Sequence, residues 1–348
     1  MHMADALLSP AVGCAMLAGS AAALGYSAAK LKKNIDNKTI PLMGVMGAFV
    51  FAAQMINFTI PGTGSSGHIG GGMLLAIMLG PYAAFLAIAS VLTVQALFFA
   101  DGGLLALGCN IWNLGVFPCF VAYPLIYKML AGSSTSARRI SVAAVLSAVV
   151  ALQLGSFFVV LQTLFSGISE LSFGVFLLLM QPIHLAIGLA EGIITAGVIL
   201  FVKQARPEIL EANTASRHPA AGVSIKNILA SFIILAIITG GVLSWFASTY
   251  PDGLEWSIKK VAGKSELPEQ TDGISTALKY LQEKTAFLPD YGFKPAGEEN
   301  DAESAPVWPG IDSGTSVAGV VGAAIALLFI VLVGFGIRLF KRPPSFPK

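Results

Sequence analysis

Long apolar runs separated by short polar stretches set the rhythm of this chain. Runs near the roughly 20 residues that a helix needs to cross a bilayer core are read as transmembrane helices. They fall at residues 11–29, 41–58, 81–99, 104–127, 140–165, 173–202, 228–247 and 317–340. A shorter apolar segment, 69–79, lies between a glycine-rich loop and a Gly80-Pro81 break, and is too short to cross. That loop is therefore expected to dip into the protein, because irregular backbone at membrane depth is tolerated only where it is buried or lines a cavity. No base precedes residue 11, whereas Lys30, Lys32 and Lys33 follow the first run. Positive-inside then puts residues 30–38 in the cytoplasm and the amino terminus outside, and the missing basic flank argues against a cleaved signal. The expected fold is an all-α polytopic membrane protein. A substrate-binding bundle of about seven helices (1–203) is followed by a polar cytoplasmic linker (204–226), then two further transmembrane helices within 227–340 that flank an extracytoplasmic segment, 248–316.

Composition agrees. The chain is 55% hydrophobic and 11% charged, far from the 25% or so of charged residues usual in soluble domains. A net charge of +2 with scattered bases carries no nucleic-acid signature. Fifteen of the 21 Lys and Arg fall in segments assigned to the cytoplasm; the other six share the outer segment with twelve acids, an exception allowed because long segments translocate largely regardless of charge. Within that segment residues 271–284 are expected to form one helix and 297–306 a flexible acidic linker. Cys14, Cys109 and Cys119 lie in apolar stretches without metal spacing and read as buried thiols. Ala11, Ala15, Gly19 and Ala23 form a small-residue stripe suited either to internal packing or to a partner subunit.

Candidate chemistry centres on residues 61–72, P-G-T-G-S-S-G-H-I-G-G-G, with one imidazole, His68. Met1-His2 offers an α-amine, a backbone amide and a second imidazole. Amine and amide close a five-membered chelate ring, and the amide with the near imidazole nitrogen of His2 a six-membered one. With His68 as a fourth nitrogen the set is square planar, which suits Ni(II) or Cu(II), allows Co(II), and serves Zn(II), Mg(II) and Ca(II) poorly. Because the amide must lose its proton, binding weakens as pH falls. Within the apolar runs Asn110, Asn113, His184 and Glu191 are polar exceptions that read either as packing groups or as functional ones. Ser66, Asn110, Asn113 and His184 are candidates to hold the other nitrogens of metal-bound imidazoles. The sequence G-T-G-S-S-G fails as a phosphate loop, since His68-Ile69 stand where Lys and Ser/Thr are required. Gly64-Ser65-Ser66-Gly67 raises an intramembrane serine protease, with Ser66 as nucleophile and His184 as base, and a metal-gated receptor is a further alternative.

Several longer stretches carry a resemblance. The opening M-H-M-A-D-A-L-L-S-P, the run GTGSSGH into IGGGMLLAIMLGPYAAFL, VQALFFADGGLLALGCNIWNLG from Val94 and PIHLAIGLAEGIITA from Pro182 resemble the nickel/cobalt-binding membrane subunit of energy-coupling-factor transporters, the CbiM/NikM family, over residues 1–203. Pro251-Asp252-Gly253-Leu254-Glu255 resembles the PDGLE domain of that system's small N subunit, fused here to the first. The resemblance implies Met1, His2 and His68 as ligands and Ni(II), or Co(II), as bound substrate. It also implies a cell inner membrane location, and as partners a transmembrane coupling (T) subunit and two ATPases that hydrolyse ATP in this chain's stead. The family's usual opening is nearer H-I-P-D-G-F-L-S-P. This chain keeps His2 and Asp5 but lacks the Pro and Gly, which affects the path of residues 3–6 more than the ligand set. The longer GTGSSGH, together with PDGLE, points to nickel.

Overall fold

The computed structural model describes residues 2–35, 38–132, 136–169, 171–205, 224–264, 267–268, 272–294 and 308–340, and these form an all-helical membrane protein with one small hairpin. Helix α1 (Pro10–Asn34) opens with proline in its first turn, where no amide partner is lost, and closes with Lys32 and Lys33 against the negative end of its dipole. Helix α2 (Thr39–Gln54) is buried almost all round. It is followed by strands β1 (Phe58–Ile60) and β2 (Ser65–Gly67), the short helix α3 (Gly72–Leu79) and helix α4 (Pro81–Phe99). Helix α5 (Leu107–Ala131) widens into π-type turns over Trp112–Tyr127, where Pro118 and Pro124 withhold two amides from the regular ladder.

Helices α6 (Ala137–Ser166) and α7 (Phe173–Ala205) pack along each other. Helices α8 (Ile225–Gly241) and α11 (Ser313–Leu339) cross each other at Gly240 and Gly319 and lie against α2. Between them lie α9 (Gly253–Ala262) and α10 (Gly273–Thr285), in the polar segment expected to be the outer one. Six of the described helices are long and apolar enough to cross a membrane; α2 and α8 are apolar but shorter.

The short apolar helix before Gly80 and the outer helix near 271–284 form where the pattern put them. The second apolar run ends earlier than its hydropathy suggests. The helix stops at Gln54, and Phe58-Thr59-Ile60, aromatic and β-branched, pair as a strand with Ser65–Gly67 across a turn in which Gly62 and Gly64 take positive φ. Cys109 and Cys119 are buried as expected, but Cys14 is exposed. It shares the outer face of α1 with Ala11, Ala15, Ala18, Ala22, Gly25 and Ala29, while Gly19 and Ala23 turn partly inward. Hydropathy does not separate a lipid-facing apolar position from a protein-facing one, and α1 packs on one side only. The 297–306 stretch and most of the 204–226 linker lie outside the described residues.

Candidate metal centre

The chain just after the amino terminus is clamped by α5 and the turn before it. Met3 N donates to Asn110 Oδ1 (2.8 Å), Asn110 Nδ2 returns a bond to Met3 O (3.2 Å), and Gly103 N donates to the same carbonyl (3.0 Å). Asn113 exchanges hydrogen bonds with Gln162 (2.8 and 3.2 Å) and rests its amide 3.8 Å from Met3 Sδ. The two asparagines thus share a face, as their spacing implies, and use it to fix the residue after His2. Asp5 Oδ1 accepts from Ala106 N (2.8 Å), placing a carboxylate at the start of α5 where free amides favour one. Met1 lies outside the described residues.

The His68 loop is held from two sides. On one, β2 meets the outer segment: Ser66 N donates to Pro251 O (2.8 Å) and Ser66 Oγ to Tyr250 O (2.7 Å). On the other, Glu191 of α7 accepts from Gly70 N (2.7 Å) and Gly71 N (3.2 Å), while Gln54 Nε2 donates to Gly70 O (2.9 Å) and Gln95 Nε2 to Gln54 Oε1 (3.0 Å). Gly71 has φ +76° and faces Val50, which would lie 2.4 Å from a β-carbon there, so no other residue fits without strain. His68 Nδ1 lies 2.9 Å from Ile69 O. A carbonyl only accepts, so Nδ1 carries the proton and Nε2 the lone pair. Burial pushes this imidazole down to about 3, leaving it neutral and able to act as a ligand at ordinary pH.

The two pieces meet. The imidazoles of His2 and His68 lie almost parallel, 14° apart in plane, with centroids 5.1 Å apart. His2 is nearly enclosed, its side chain 6% exposed, with Nδ1 3.1 Å from Asp101 Oδ1 and Nε2 buried without a hydrogen-bond partner. Asp101 Oδ2 in turn accepts from Tyr291 Oη, delivered by the outer segment. Burial by itself would raise the Asp101 carboxyl, but the adjacent His2 and the hydrogen bonds from His2 and Tyr291 outweigh it and hold the group well below the usual carboxylate range. Tyr291 is driven the other way by its burial and the neighbouring Asp101. Among the described residues the non-glycine positions with positive φ are Ala100, Asp290 and Tyr291. Ala100 and Asp290 flank this one contact and Tyr291 makes it, so strained backbone gathers there.

A cavity of about 460 Å³ opens beside His2, and Asp5, Asp101, Asp252, Glu255 and Asp290 line it together with Lys279. Its wall comes from both ends of the chain. Among the described residues no group of three or more His, Cys, Asp or Glu side chains is arranged to hold an ion.

His184 points Nδ1 at Met180 O (2.7 Å) and has a buried, unpartnered Nε2. Ser66 spends its hydroxyl on the carbonyls of Tyr250 and Pro251, and no hydrogen bond joins it to His184. The serine–histidine pair that a protease needs is not formed. Asp101 and Glu191 were visible in the sequence only as a turn acid and an ambiguous buried acid. Tyr291 gave no signal there, since its role depends on a fold bringing residues 190 positions apart together.

Residues 2–209 match the family described as CbiM, cobalt uptake substrate-specific transmembrane region, and residues 226–339 match the PDGLE domain. Over 98% of its length the chain is 34% identical to a protein of Archaeoglobus fulgidus assigned as a fused nickel transport protein NikMN, of which it covers 99%. It is 29% identical to the fused nickel transport protein NikMN of Rhodobacter capsulatus, with 98% and 99% of the two chains covered. A solved structure described as a transition metal transporter superposes with a TM-score of 0.52 at 31% identity, covering 62% of this chain and 98% of that one. The clamped start, the stacked histidine pair and these likenesses lead to one conclusion: the chain belongs to the CbiM family of substrate-specific membrane components for transition-metal uptake, joined to a PDGLE domain, and is a transport component and not an enzyme.

Proposed function

We propose that this protein captures Ni(II), with Co(II) as a second substrate, from outside the cell membrane, holding it between the Met1 amine, the amide and imidazole of His2, and the imidazole of His68. The observation that carries this reading is the approach of the two imidazoles. Two rings bound side by side to one ion through bonds of about 2 Å have centroids roughly 4–5 Å apart, and here the separation is 5.1 Å. Neutral His68 with its lone pair on Nε2 fits the role of fourth nitrogen. His2 Nδ1 rests on Asp101, and the ion takes that carboxylate's place.

The full-length likeness to nickel transport proteins supports nickel. Residues 1–203 form the metal-binding subunit, 204–226 a cytoplasmic linker, and 227–340 the PDGLE unit with its outer segment at 248–316. The amino terminus faces outward. Release inward is driven by a transmembrane coupling subunit and two ATPases, for which the small-residue outer face of α1 is a suitable surface.

Calorimetry with Ni(II) on protein with its native amino terminus tests the proposal. His2→Ala and His68→Ala each weaken binding at least about 100-fold, beyond the cost of losing a partner outside the ligand set. A residue added before Met1 does the same, and affinity falls as pH falls because binding expels protons. Unchanged affinity in the two histidine variants refutes the reading.

A further inference from the structure

Glu191 is a buried carboxylate, 2% exposed, in the middle of an apolar helix, and among the described residues it forms no ion pair with a base. Its partners are all backbone. Gly70 N donates to Oε2, Gly71 N to Oε1, and Met73 N also bonds to it. These amides open α3, whose first turn has no side-chain cap of its own. The first amides of a helix lack internal acceptors and carry partial positive charge. Glu191 therefore supplies, from a helix 120 residues away, the acceptors that let α3 begin inside the protein. The capped residues stand two, three and five positions after His68. Gln54 fixes the intervening carbonyl.

We propose that Glu191 is a positioning residue for the metal site: it anchors the His68 loop to α7 and so sets the reach of the fourth ligand. This rests on the reading that His68 binds the ion. A metal ligand must sit within about 0.2 Å of its proper distance. A loop whose amides at Gly70, Gly71 and Met73 lose an acceptor shifts by more than that to regain hydrogen bonds. Because the anchor belongs to α7, movement of that helix would also withdraw His68, a direct mechanical route from the bundle to the bound ion.

The test uses Glu191→Gln in the full chain with its native amino terminus. The amide keeps the size but sets an NH2 donor against a backbone N–H donor. Ni(II) calorimetry is combined with the electron paramagnetic resonance spectrum of Cu(II), a square-planar probe whose splitting counts bound nitrogens. The expected result is a Ni(II) affinity about 10- to 100-fold weaker and a Cu(II) spectrum reduced from four nitrogens to three, as in His68→Ala. A folded Glu191→Gln with unchanged affinity and four nitrogens overturns the inference, even if its melting temperature falls. If that variant does not fold, Glu191→Asp, with the same charge on a stem one methylene shorter, decides by the same two outcomes. Should His68→Ala itself retain four nitrogens and full affinity, the ligand assignment has failed and the inference falls with it. Loss in His68→Ala without loss in Glu191→Gln removes the inference alone.

Discussion

At the scale of single residues, the centre is an exercise in directing lone pairs. His68 donates from Nδ1 to a carbonyl and so carries its lone pair on Nε2; His2 leans on Asp101, and Asp101 is braced by Tyr291. Removing that brace leaves a partly buried carboxylate oxygen without its donor, which costs about 1 kcal/mol. Tyr291→Phe is accordingly expected to lower the thermal stability of the outer segment, measured as faster limited proteolysis there, while α-helical circular dichroism is retained. Unchanged protease resistance would show that the hydrogen bond contributes nothing. The sequence announced His2 and His68 because imidazoles beside glycine and beside a chain start are chemically conspicuous. It did not announce Tyr291, since an aromatic in a polar outer stretch looks like any other surface tyrosine until Phe99 stacks on its ring, with centroids 5.2 Å apart.

At the scale of elements, the PDGLE motif acts as a helix start. Asp252 caps α9 by accepting from Leu254 N and Glu255 N, both at 2.8 Å, and Glu255 reaches back to Asp252 N at 3.1 Å, a reciprocal capping box. The residue just before this box, Pro251, accepts from Ser66 N beside His68. Asp252→Ala should therefore destabilise α9 by about 1–2 kcal/mol, and hydrogen exchange should reveal it as faster exchange in 253–262 that spreads to 65–67. Exchange confined to α9 would mean that the two elements are not mechanically joined. The helices were legible because apolar runs and their lengths are a strong signal. The hairpin at 58–67 was not, since three-residue strands lie below any periodicity, and only the Pro-Gly and glycine-rich turn hinted at a reversal.

At the scale of the whole molecule, two regions nearly 250 residues apart close around one cavity. The first subunit brings Asp5 and Asp101, the PDGLE unit Asp252, Glu255 and Asp290. Acidic walls concentrate cations and speed their capture, an effect that salt screens. Glu255→Gln preserves the capping geometry and removes one charge; it should slow Ni(II) association a few-fold at low ionic strength and have little effect at high salt, as read by stopped-flow quenching of tryptophan fluorescence. A rate independent of both would exclude electrostatic capture. Which residues of the two regions meet was beyond sequence reading. Hydropathy and charge define how many times a chain crosses and which loops are polar, but not which loop settles on which.

Anomalous diffraction at the nickel absorption edge, from crystals of protein with its native amino terminus loaded with Ni(II), tests the central claim most directly. The account requires one strong peak between the His2 and His68 imidazoles, within bonding distance of a nitrogen of each. A peak elsewhere, or a fully loaded protein with those two rings free of the ion, would contradict it.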